Sequence, residues 1–132
     1  MTAPTVKTRT AVYKRDGERC VACHSTHLSF QHRRAVGMGG SKIPPAPVDG
    51  LTLCVPCNQA AEGPMQTLAL FRGWKVRRWA DPMRVPVFYP HEHQWYRIEG
   101  INRFPVGVVV AYEMMHAVYG DEFDLWRTEV ML

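Results

Sequence analysis

Cys20-Val-Ala-Cys23 and Cys54-Val-Pro-Cys57 hold the four cysteines of the 132-residue chain. Two C-x-x-C pairs, each on a turn, can close four thiolates into a tetrahedron around Zn²⁺. The alternatives are two disulfides, free thiols, or redox exchange within each pair. A reducing compartment disfavours disulfides, and no thioredoxin-like strand–helix–strand pattern surrounds either pair. A closed four-sulfur site leaves no position for water or substrate. Zinc bound there is a staple, and chemistry has to lie elsewhere.

Residues 24–53 form the excursion that this staple closes at its base. The stretch FQHRRAVGMGGS, Phe30 to Ser41, packs a histidine, two arginines and three glycines into it. Arginine suits phosphate because its planar fork donates two parallel hydrogen bonds. Gly37, Gly39 and Gly40 allow the backbone to approach a phosphate closely, and Lys42 adds a point charge. Arg33, Arg34 and Lys42 are therefore candidate nucleic-acid contacts. The alternative is a solvated basic turn.

The elements that must position these groups follow from local pattern. HLSFQH, His27 to His32, alternates and predicts a short strand. The Gly-rich stretch and Pro44 to Pro47 cannot continue a ladder and predict a loop. Leu51 to Cys54 predicts a second strand after Asp49-Gly50, and Asn58 onward predicts a helix. Upstream, Val6 to Arg15 predicts a basic helix stopped at Asp16-Gly17, whose lysines and arginines, Lys7, Arg9, Lys14 and Arg15, can lie along a phosphate backbone or simply be solvated. The sum of charges is mild, with 16 Lys and Arg against 12 Asp and Glu, and pI near 9.0. Its placement is more telling, because the basic residues gather around the cysteines while Asp121, Glu122, Asp124 and Glu129 come late.

The combination of KRDGERCVAC (Lys14 to Cys23), QHRRAVGMGGS (Gln31 to Ser41) and LTLCVPCN (Leu51 to Asn58) resembles the HNH endonucleases, whose core is the ββα-metal fold. The wording of the loop is most similar to small HNH proteins of bacteriophages infecting actinobacteria, often encoded near packaging genes. The resemblance covers about the first 65 residues and implies a metal-dependent endonuclease acting on DNA. It implies that His32 is the general base, taking a proton from the water that attacks phosphorus. It also implies that Gln31 and Asn58 hold a divalent cation such as Mg²⁺, with Arg33 completing the catalytic set. Three positions depart from the family pattern. Gln31 stands where Asp or His is usual, Asn58 replaces the last histidine, and Gly50 occupies the place of the middle asparagine. Two neutral amides bind a hard cation more weakly than carboxylates do, so slow catalysis, or a zinc-stabilised binding module with little catalysis, is the competing expectation. Adjacent strand residues point to opposite faces, so Gln31 and His32 share one site only where the strand bends.

The second half predicts an extension, residues 66–132, either separate from the 1–65 core or packed on it. Met65 to Arg72 reads as a helix with Leu68, Ala69 and Phe71 inward and Gly73 as its stop. Trp74 to Trp79, Val85 to Tyr89 and Gln94 to Ile98 alternate, which predicts a small antiparallel sheet with Trp74, Trp79 and Trp95 in its core. Val108 to Tyr119 predicts a helix apolar nearly all round, hence buried or paired with another chain. Phe123, Trp126 and Val130 mark a last amphipathic segment. This tail is a candidate surface for a homodimer or a packaging-protein contact. His24, His27 and His91-Glu92-His93 read as surface groups, Glu62 as a solvated helix charge, and His116 as a satisfied core histidine. The fold class is α+β. No apolar run reaches the roughly 18 residues that span a bilayer, and MTAPTVKTRT lacks the apolar segment of a secretory signal. The expectation is a cytoplasmic protein, in the host bacterium if phage-encoded, with no membrane partner.

Overall fold

The computed structural model describes residues 2–35 and 43–131. Helix α1, Val6–Arg15, starts where the Thr5 side chain accepts a hydrogen bond from the Thr8 amide, and ends at Asp16 before Gly17 at φ +78°. Strands β1 (Ser29–His32) and β2 (Gly50–Leu53) pair antiparallel, with Phe30 opposite Thr52 and His32 opposite Gly50. Helix α2, Val55–Ala61, follows at once, because Pro56 in its first turn presets the helical φ where no backbone donor is needed. Asn58 therefore lies within the helix rather than at its start, its amide bonded to the Cys54 carbonyl at 2.9 Å.

The second half is built from α3 (Gln66–Phe71), a sheet ordered β3 (Val87–Tyr89), β4 (Gln94–Glu99), β5 (Asn102–Val106), then α4 (Val108–Tyr119) and α5 (Asp121–Met131). Strand β5 contains Pro105, which lacks the amide a central strand would need and is accommodated here on the edge. Trp74 to Trp79 is not a strand. Only Val76 pairs, in an isolated parallel bridge to Arg34, because the backbone here turns sharply at Gly73. A Cβ on that residue would lie 1.8 Å from the Pro86 carbonyl oxygen, and its φ is +75°. Trp74 and Trp95 are buried as expected, but Trp79 is 66% exposed, with its ring edge against Tyr119.

Residues 1–65 and 66–131 share a core. Cys20, Val21, Leu51, Leu53 and Ala61 pack in one cluster with Ala69, Trp74, Val87, Tyr89 and Ile98. A second cluster joins Phe71, Val76, Val85 and Trp95 to Ala111, Met115, Phe123 and Trp126. Helix α4 buries only the stripe Ala111, Met115 and Tyr119, spaced by four. Its first turn, Val108 to Val110, is exposed, so the expectation of a helix buried all round is corrected to burial on one face. His116 is likewise at the surface, 3.0 Å from Asp124, rather than in the core. Glu62 pairs with the buried Lys75 instead of standing free in solvent. Among the described residues no helix is long and apolar enough to cross a membrane.

Candidate metal centre and the His32 groove

The two C-x-x-C pairs converge. The ligand atoms of Cys20, Cys23, Cys54 and Cys57 all lie within 4.8 Å of one another, and the Cys23 and Cys54 sulfurs are 3.7 Å apart. A tetrahedron of sulfurs about 2.3 Å from Zn²⁺ has edges of about 3.8 Å, so the four fit one such ion. The first knuckle is a turn in which the Cys23 amide points at the Cys20 sulfur, and the His24 amide at the Cys20 carbonyl. The second opens α2, with Cys54 at the N-cap and Cys57 in the first turn. Burial pushes the Cys57 thiol well above its ordinary range, and the neighbouring Cys54 adds to this. Four thiolates gathered this closely need a cation to balance their charge. The cluster is thus a candidate structural zinc site, tying β2 and α2 to the chain ahead of β1.

Strand β1 sorts the expected catalytic residues onto two faces. Phe30 and His32 share one face, their rings edge to face at 5.1 Å. Ser29 and Gln31 share the other. There the Ser29 hydroxyl donates to the Leu53 carbonyl at 2.6 Å and accepts from the Asn58 amide at 3.4 Å. The Gln31 side chain is buried, and its Nε2 has no hydrogen-bond partner. Strand β1 stays paired through His32. Gln31 and Asn58 offer two amides and no carboxylate; Gln31 is buried, while Asn58 donates to Ser29, which lines the His32 groove.

His32 itself is accessible. It lies in a groove of about 500 Å³, between Pro4, Arg9 and Tyr13 on one side and Leu28 and Phe30 on the other. Partial burial lowers its pKa below the ordinary 6.5, with Asp49 acting in the opposite direction. Among the described residues its imidazole has no hydrogen-bond partner. Gly50, opposite it, is explained by packing: a Cβ there would lie 2.3 Å from the Phe30 ring. A side chain there would require the Phe30 ring to shift.

Two of the arginines expected on phosphate are interior. Arg33 is fully buried and donates to the carbonyls of Val48, Gly73, Pro82 and Val85 at 2.9–3.2 Å. Burial lowers its pKa to about 10, with the charge of Arg15 next. All five guanidinium hydrogens are engaged, so its expected catalytic and phosphate roles are corrected to one of joining the two halves. Arg15 is also buried. It forms a bidentate pair with Asp16, at 2.9 and 3.1 Å, and donates to the carbonyls of Pro47, Gly50 and Gly100. Arg34 is half-exposed and bridges to Asp49 at 3.1 Å, while Lys14 faces solvent. Lys42 and the three glycines of the loop lie outside the described residues.

Tyr13 is the groove residue that sequence reasoning passed over, one helical turn after Arg9, which the sequence offers only as one of several helix cations. The available signal was their spacing of four on a predicted helix, which places them on one face. What that face looks at is set by tertiary packing. Comparison with family models, with curated proteins and with solved structures found no match. Fold and site together define an α+β protein with a four-cysteine cluster positioned to hold one metal ion.

Proposed function

We propose that this protein is a DNA endonuclease of the HNH kind, in which His32 is the general base for phosphodiester hydrolysis. The observation that carries the reading is a β1–β2–α2 unit clamped by the four cysteines, with an unbonded imidazole at the end of β1 opening into a groove. A histidine whose pKa is held below 6.5 is largely neutral at pH 7 and able to accept a proton. Gln31 and Asn58 are the residues that would hold a divalent cation, and such a cation would neutralise charge on phosphate oxygens.

A second reading has its own support. Gln31 is buried, Gln31 and Asn58 are neutral amides, and Arg33 is spent on the interior. That favours a zinc-stabilised nucleic-acid-binding module with little or no catalysis. Plasmid nicking in Mg²⁺ and in Mn²⁺ separates the two. Endonuclease function requires nicking by the wild type and its loss in His32→Ala. Salt-dependent DNA binding with no nicking in either metal selects the binding module. Contact of the exposed Val108–Val110 turn with a packaging protein or a second copy belongs to this proposal only as a partner question, answered by light scattering and pull-down with the full chain.

A further inference from the structure

The groove that holds His32 lacks the arginines expected to serve it, since Arg33 and Arg15 are interior and Arg34 is paired with Asp49. One cation of the described lining remains. Arg9 is exposed, its guanidinium has no ion pair or hydrogen bond among the described residues, and it stands one helical turn from Tyr13 on α1. The Tyr13 hydroxyl likewise has no hydrogen-bond partner among the described residues. We infer that Arg9 and Tyr13 form the phosphate subsite of this groove, binding a DNA backbone phosphate beside His32.

The chemistry of the groove fits that ligand. A guanidinium and a phenol present donors to phosphate oxygens. Pro4, Leu28 and Phe30 supply an apolar wall of the kind on which a deoxyribose or base rests. Arg9 is exposed and has no ion pair among the described residues, so binding breaks no salt bridge there. Its place on a ten-residue helix with a Thr5 cap holds it in register with Tyr13. Arg9 is a binding residue in this scheme, and His32 remains the base.

The inference rests on the proposed nucleic-acid function, and its test is built to fail separately. Binding of the full, zinc-loaded chain to a fluorescent duplex oligonucleotide is measured by anisotropy across a salt series, without added divalent cation. Arg9→Ala is expected to weaken binding about tenfold and to reduce the slope of log K against log[salt] by about 1. Arg9→Lys should keep the slope while losing part of the affinity, and Tyr13→Phe should weaken binding with no change of slope. Arg84→Ala, an exposed arginine of the 3₁₀ turn Pro82–Arg84 that does not line the groove, is the control and should match wild type. Wild-type slope and affinity in Arg9→Ala, with wild type that binds or nicks DNA, overturn the subsite alone. A wild type that neither binds nor nicks DNA overturns the subsite and the proposed function together.

Discussion

The guanidinium of Arg33 and the carbonyl oxygen of Gly73, forty residues apart in sequence, are joined by two hydrogen bonds of 3.2 and 2.9 Å. The same side chain reaches the Val48, Pro82 and Val85 carbonyls. One residue of the basic loop thus fastens the cysteine-clamped half to the half that carries the sheet β3–β5. The Val76 amide completes the seam by donating to the Arg33 carbonyl at 2.7 Å.

Removing this fork should be severe. Arg33→Ala removes a donor from four carbonyls, of which Gly73 and Val85 belong to buried residues and Pro82 keeps the Val85 amide, and each buried group left unsatisfied costs about 1–3 kcal/mol. A loss of at least about 3 kcal/mol in urea unfolding is expected. Arg33→Lys should recover little, because an ammonium cannot present five donors in a plane. A surface arginine on phosphate would behave differently, with little effect on stability and a large one on DNA binding.

Elemental analysis should find one zinc per chain. Cys54→Ser removes a buried ligand that is also the N-cap of α2, and should abolish stoichiometric zinc and destabilise the hairpin. Chelation of the wild type should lower the Tm and release β1–β2 to hydrogen exchange. Retention of full stability in a strong chelator, with no metal found, counts against the staple.

Gly50→Asn installs the residue typical of the resembled family, and it should destabilise this protein. The new Cβ meets the Phe30 ring at 2.3 Å, and overpacking of this kind costs about 1–3 kcal/mol. Phe30→Ala combined with Gly50→Asn should cost less than the sum of the two single changes. Strict additivity in the double-mutant cycle would mean that the ring is not the obstacle.

His32 should titrate below 6.5, with burial as the main cause. Its unfolded-state pKa is then the higher one. Between 6.5 and the folded value, the unfolded chain binds more protons than the folded one. The His32 contribution is therefore fully present above 6.5 and is lost as pH falls through that window. NMR of the His32 ring protons gives the midpoint directly. If His32 is the base, nicking should rise with pH through the same midpoint and level off above it. A midpoint above 6.5 would contradict both statements.

Much of the fold was legible because it depends on neighbours in sequence. The spacing of Cys20, Cys23, Cys54 and Cys57 announced the metal cluster, since turns alone bring each pair together. Val6–Arg15 and Val108–Tyr119 match their predicted helices, bounded by Thr5, Gly107 and Gly120. Strand β5 was missed because Pro105 argues against a strand unless the strand is known to be an edge. Trp74–Trp79 alternates without being a strand, since the Gly73 turn and the Arg33 seam override local pattern.

The sequence by itself determined the α+β character, the cysteine cluster and the presence of an imidazole at the end of the first hairpin strand. Only the tertiary structure decided which arginines meet solvent. Arg9, Arg15, Arg33 and Arg34 are alike as residue types. A buried guanidinium is tolerated only where carbonyls or a carboxylate satisfy every donor. Those partners come from Gly73, Pro82, Val85 and Gly100, distant in the chain. Local periodicity carries no record of them, and so Arg33 reads as a phosphate ligand in the sequence and stands as an interior tie in the fold.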